Sequence, residues 1–178
     1  ALSICARTET GSLWCWGSNT FGELGVGSDN YRENSPQEVI FSNDDVTVQD
    51  HAAGGAVYCA MLSNKSVYCW GNNLFGGLGQ GNADQNSNVP ILVIDETMEV
   101  SSLEGGGVIC VLLDNASMWC WGDKTNGWSA PVDAPSQRWE QAWLSGQNTL
   151  LSMSIGPVAC VLAPENGMWC LGDHAFVE

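Results

Sequence analysis

The chain has 178 residues, 44 % hydrophobic and 14 % charged, enough for one domain with a sizeable core rather than a disordered polymer. Five Lys and Arg stand against twenty Asp and Glu, a formal charge of −15, which argues against nucleic acid and anionic membrane surfaces as partners. No apolar run reaches the roughly twenty residues of a membrane span, and no stretch has the alternating oxygen ligands of a calcium loop. The acidity reads as a solvated surface.

The chain opens Ala1-Leu2-Ser3-Ile4, without a basic or long hydrophobic leader, and reads as a mature product or a piece of something longer. A pattern then begins at Cys5, which is followed ten residues later by Cys15 and Trp16-Gly17. Glycine-rich residues 22–27 come next, then the short apolar runs Glu38–Phe41 and Val46–Val48, read as further strands. The pattern returns at Cys59 and Cys69 with Trp70-Gly71, followed by a second glycine segment over 76–81 and a strand over Ile91–Ile94. It returns again at Cys110 and Cys120 with Trp121-Gly122. Arg138–Leu144 reads as one or two helical turns and Leu150–Ser154 as a strand. The last pair is Cys160 and Cys170 with Leu171-Gly172. The units begin 54, 51 and 50 residues apart, so the chain reads as a single repeat domain over 1–178, with repeats 1–54, 55–105, 106–155 and an incomplete 156–178.

Each cysteine pair brackets an apolar strand, a polar turn and a second strand rich in Trp, Tyr, Val and Met, the signature of a β-hairpin. Gly11 and Gly167 sit in two of the turns, where positive φ is tolerated. In a hairpin the two cysteines face each other, and a non-hydrogen-bonded pair brings their β-carbons close enough for a disulfide. Pairing within each unit (Cys5–Cys15, Cys59–Cys69, Cys110–Cys120, Cys160–Cys170) is the simplest connectivity, each bridge contributing roughly 3 kcal/mol by loop closure. Zinc binding is the rival reading, but zinc cysteines lie two to four residues apart, and His51 and His174 are near no cysteine cluster. Eight evenly placed cysteines predict an oxidising compartment and a secreted, extracellular protein. In the second hairpin Val57, Cys59 and Met61 point one way and Tyr58, Ala60 and Leu62 the other, so both faces are covered and the fold is all-β with stacked sheets.

The second unit contains Gly55, Cys59-Ala60-Met61-Leu62, Val67-Tyr68-Cys69-Trp70-Gly71-Asn72-Asn73, Phe75-Gly76-Gly77-Leu78-Gly79-Gln80-Gly81 and Pro90-Ile91-Leu92-Val93. The first contains Trp16-Gly17-Ser18-Asn19, Phe21-Gly22-Glu23-Leu24-Gly25-Val26-Gly27 and Pro36-Gln37-Glu38-Val39. These residues resemble the repeats of the regulator of chromosome condensation (RCC1-like) family. The third unit keeps Trp121-Gly122 but degenerates to Asn126-Gly127-Trp128, and the family's His before the "CAL" strand is replaced by Val57, Val108 and Val158. The resemblance implies β-propeller-type repeats whose blades are four-stranded sheets, a partial or open propeller of about three full blades plus a hairpin. Repeat units bury their faces against neighbours, so further copies of the chain, or more of the same polypeptide, are expected to complete a ring or an open helical assembly.

The glycine segments superficially resemble phosphate loops, but they precede no helix and lack the Lys-Ser/Thr; turns are their reading. Most of the nine Trp residues keep fixed places in the repeat and read as packing between blades. Trp128, Trp139 and Trp143 lie outside that register and are the candidates for an exposed binding surface. Asn64-Lys65-Ser66 and Asn115-Ala116-Ser117 are N-glycosylation sequons at the same hairpin tip, so Asn64 and Asn115 are expected to carry N-linked glycans. No catalytic constellation, cofactor motif or metal-ligand pattern is recognised. The expected role is that of a secreted, disulfide-stapled glycoprotein repeat unit in a structural assembly, as in an extracellular fibre or surface appendage. The alternative is an extracellular propeller module that binds a protein or carbohydrate. The −15 charge and the cysteine pairs weigh against the chromatin or nucleotide-exchange role that the family name suggests.

Overall fold

The computed structural model describes residues 2–42, 45–81, 83, 85–123, 139–140, 152–155, 158–163 and 167–172. Among them the strands form four antiparallel sheets, each in chain order. The first sheet holds β1 (Ser3–Arg7), β2 (Leu13–Ser18) and β3 (Arg32–Glu38). The second holds β4 (Val48–Gly54), β5 (Val57–Leu62), β6 (Val67–Gly71) and β7 (Ser87–Ile94). The third holds β8 (Val100–Gly105), β9 (Val108–Leu113), β10 (Met118–Gly122) and β11 (Trp139–Glu140), and the fourth β12 (Ser152–Ile155), β13 (Val158–Ala163) and β14 (Gly167–Gly172). Consecutive strands paired antiparallel in chain order are the blade pattern of a propeller. No helix among the described residues is long and apolar enough to cross a membrane.

The sheets are cut one strand earlier than the sequence repeats. The strand at the end of each repeat pairs forward, not back: β4 joins β5 through Gly55-Ala56 alone, and β12 pairs with β13. A two-residue link makes the forward hairpin the nearest antiparallel partner. Leu150–Ser154, read as a strand of the third unit, thus contributes β12 to the fourth sheet, which is more than a hairpin.

Two expected elements shift. β3 covers Arg32–Glu38, ahead of the expected Glu38–Phe41; it is an outer strand exposed along most of its length, so burial imposes no apolar pattern on it. Phe41 lies beyond the strand and packs edge-on against Tyr68 and Trp70, with ring centroids 5.7 and 6.1 Å away. Within the stretch read as helical, Trp139 and Glu140 are strand, paired with Cys120 and Trp119. There β10 offers a free backbone edge, which outweighs a weak local helical pattern.

The core lies between sheets. All six residues of β5 are buried. Cys59 and Met61 join the apolar cluster shared with the third and fourth sheets, whereas Tyr58, Ala60 and Leu62 join the one shared with the first. The second sheet therefore turns its cysteines toward the third sheet and Trp70 toward the first. Near the inner strands the backbones almost touch: a β-carbon on Gly105 would lie 2.6 Å from the carbonyl oxygen of Ala53. Val57 and Val108, at the family's histidine position, are buried apolar side chains.

Candidate functional site

The hairpins follow one geometry. Cys5 faces Cys15, Cys59 faces Cys69, Cys110 faces Cys120 and Cys160 faces Cys170, and all four pairs are disulfides with Cα atoms 4.1 Å apart. The close approach is that of a non-hydrogen-bonded cross-strand pair. At the tips, Leu62 N donates to Ser66 O, Leu113 N to Ser117 O and Thr8 N to Ser12 O, each at 2.9 Å. The last loop residue has positive φ: Gly11 at 87°, Lys65 at 71°, Ala116 at 65°. This is the three-residue turn closed by a left-handed corner.

Both sequons form these tips. Asn64 Oδ1 accepts from Ser66 Oγ at 2.6 Å and Ser66 N at 3.2 Å; Asn115 Oδ1 accepts from Ser117 Oγ at 2.7 Å and Ser117 N at 3.0 Å. The Asn-x-Ser triplet thus has a structural use, bracing the turn where a first-unit Thr8 hydroxyl accepts from Ser12 N. Asn115 is exposed and Asn64 half-buried. Of the tryptophans outside the repeat register, Trp139 belongs to β11, and Trp128 and Trp143 lie outside the described residues.

A second organised region was absent from the sequence expectations: the contact between each glycine segment and the tryptophan of the following sheet. Asn19, 5 % exposed, donates through Nδ2 to Ser28 O and Asn30 O and accepts from Leu24 N. Asn73 accepts from Leu78 N in the same way. These asparagines fold the glycine segments back so that Gly25 and Gly79 lie on the indoles of the next sheet. A β-carbon on Gly25 would come within 2.6 Å of Trp70 Cδ1 and Nε1, and one on Gly79 within 3.0 Å of Trp121. Both indoles are 0 % exposed. Trp70 Nε1 donates to Glu23 O at 3.1 Å, while Trp121 Nε1 has no hydrogen-bond partner among the described residues. The spacing of Asn, Gly and Trp between units was the available signal, legible only once the glycine of one unit is known to meet the tryptophan of the next.

A cavity of about 260 Å³ opens between the second and third sheets, lined by Gly55, Leu74, Phe75, Gly107, Trp121 and Asp123 among others. Phe75 holds φ at 61°, unusual for a bulky side chain, and both Leu74 and Phe75 are exposed at its rim. On the inner strands β4 and β8, Asp50 lies close to His51 and Glu104. Burial and the Asp50 charge raise the Glu104 carboxyl above its usual 4.5, and burial holds His51 below 6.5.

The regulator of chromosome condensation (RCC1) repeat model matches residues 10–61 and 65–113, together more than half of the chain, and a second model of that repeat matches 48–76. A human relative, "Probable E3 ubiquitin-protein ligase HERC4", is 34 % identical over 88 residues, 49 % of this chain and 8 % of that protein. Human WBSCR16 superposes with a TM-score of 0.80 at 19 % identity, over 96 % of this chain and 45 % of that one; yeast RCC1 (Prp20) gives 0.74 at 16 %, over 96 % and 41 %. The ectodomain of the Arabidopsis receptor kinase ACR4 gives 0.53 at 20 %, over 96 % and 47 %. The chain thus spans less than half the length of each of these proteins. With the family model covering both glycine segments and the Trp-Gly hairpins of two units, this chain belongs to the RCC1 repeat family.

Proposed function

We propose that the chain is a disulfide-stapled part of an extracellular RCC1-type propeller that works as a non-catalytic scaffold for binding and assembly. One observation carries the reading: all eight cysteines lie in cross-hairpin bridges, and those of the second and third sheets are completely buried between blades. Reduced in a cytosol, each such pair would have to separate two sulfurs from bonding to van der Waals distance inside a packed interior, whereas oxidised they brace every hairpin. Most repeated motif residues are already used structurally: cysteines as staples, Asn19 and Asn73 as loop organisers, Trp70 and Trp121 as packing between sheets. The similarity to a receptor ectodomain supports the same compartment.

Glycans on Asn64 and Asn115 belong to this proposal. The test is expression through a eukaryotic secretory pathway, followed by non-reducing peptide mapping before and after glycosidase. The expected result is four intra-hairpin bridges with glycan on the exposed Asn115 at higher occupancy than on the half-buried Asn64. Bridges between units, or free thiols in active material, would refute it. Fibre formation, the narrower version, is checked by native mass and negative-stain imaging; a uniform monomer would remove the fibre and leave the scaffold.

A second reading, recognition of a protein or carbohydrate through a propeller face, is favoured by exposed Leu74 and Phe75 at the rim of the cavity. Loss of ligand binding in Phe75→Ala with retained folding would select it.

A further inference from the structure

The cavity between the second and third sheets has a filled counterpart in the same chain. Residues 20–25 and 74–79 occupy equivalent places and share their loop bonds: Gly22 N and Gly76 N donate to Asn19 O and Asn73 O, and Leu24 N and Leu78 N to the Asn19 and Asn73 side chains. They part at one position. Glu23 is buried, its Oε2 accepting from Phe21 N at 2.7 Å, and its Cα lies 3.3 Å from where a β-carbon on Gly71 of the next sheet would stand. The counterpart of Glu23 is Gly77, which has no side chain to fill the space and lines the cavity. The residue after the Trp-Gly pair of the facing sheet is Asn72 at the first junction and Asp123 at the second. The carboxylate has moved from the loop, where it fills the gap, to the opposite wall, where it borders one.

The groups around that gap select a cation. Asn72 O accepts no hydrogen bond among the described residues, and a β-carbon on Gly77 would lie 2.9 Å from it. Asp123 lines the same cavity, and the half-exposed ring of Phe75 stands at its rim on a backbone held at φ 61°, a strain that Phe21 does not share. Carbonyl oxygen, carboxylate and aromatic ring each attract positive charge, and the chain as a whole carries −15. Val57, Val108 and Ile109 supply apolar wall for an aliphatic stem. The unbonded Trp121 Nε1 is packed under Gly79 and sealed from solvent, so it offers the cavity no donor. We propose that this cavity is a socket for the lysine side chain of a protein partner, with the ammonium at Asn72 O and Asp123 and the methylenes between the apolar wall and Phe75. This names the partner chemistry of the recognition reading and rests on that reading for its use.

The test is a nuclear magnetic resonance titration of the isotope-labelled oxidised chain at roughly 0.15 M salt, which screens the exposed carboxylates. The probes are n-butylamine, which is the lysine side chain alone, its neutral counterpart n-butanol, and the capped tripeptide Gly-Lys-Gly with its lysine free or acetylated. Saturable shifts are expected at Phe75, Gly77 and Asp123 with the amine and the free-lysine peptide. The alcohol should bind about tenfold more weakly, and acetylation should abolish peptide binding. Asp123→Asn, which restores the amide of the first junction, should weaken the amine by about tenfold with the rest of the spectrum unmoved. The amine–alcohol comparison needs no variant, so a misfolded Asp123→Asn does not rescue the idea. Four outcomes overturn it: alcohol binding equal to amine, amine binding unchanged by Asp123→Asn, shifts scattered over the acidic surface, or binding of the free amine without the lysine peptide. Equal binding of the alcohol would remove the ammonium and leave recognition at the apolar rim intact, so the two readings fail separately.

Discussion

Lys65 and Ala116 hold a backbone corner that Gly11 and Gly167 occupy in the other hairpins. An L-residue in the left-handed region is strained, and the Asn64 and Asn115 side chains offset this by bonding the backbone across the turn. Ala116→Gly is therefore expected to stabilise the protein by about 0.5–1 kcal/mol, the strain relieved less the entropy of glycine, as read by urea unfolding of the oxidised chain. Glu104 gives a pH signature. Its folded pKa is raised, first by burial and then by Asp50. Its contribution to stability is complete below the ordinary 4.5 and is lost as pH rises through the folded value. Glu104→Gln should accordingly raise the melting temperature at pH 7, with the advantage vanishing in acid. His51 has the opposite sense: held neutral by burial, it contributes stability above 6.5 that is lost as pH falls through its lower folded value. His51→Gln should flatten the acid limb of the stability curve between those two values.

At the scale of elements, the bridges differ in access. Cys59, Cys69, Cys110 and Cys120 are 0 % exposed, whereas Cys5, Cys160 and Cys170 are half-buried. Thiol exchange needs approach to a sulfur, so graded reduction should open Cys160–Cys170 and Cys5–Cys15 before the two buried bridges. Partial reduction with timed alkylation checks this; simultaneous loss of all four would contradict it. The hairpins themselves were legible in the sequence because strand alternation, turn residue and cysteine spacing all describe contacts within about a dozen residues. The outer strands were not. β3 has the composition of a loop because its side chains face solvent, and β11 exists by pairing with β10. The grouping of β4 with β5 was missed for the same reason: a strand lying between two units does not declare which side it pairs with.

For the whole molecule, the largest fully buried side chains, Trp70 and Trp121, lie between sheets. Trp70 is fully buried under the glycine segment of the preceding sheet, so Trp70→Ala should cost about 3–5 kcal/mol. Trp16→Ala in the same chain should cost clearly less, since that indole is already half in water. Chemical denaturation of the two variants side by side checks the difference. The repeat, its cysteine pairing, the all-β class and the family were determined by the sequence alone, because each is a local pattern copied several times along the chain. Which face of a blade meets which, and why glycine and tryptophan in successive units keep company, was decided only in the tertiary structure. Those contacts join residues some fifty positions apart, as Glu23 and Trp70 are, and a side chain's partner at that distance is set by the packing of one sheet on the next.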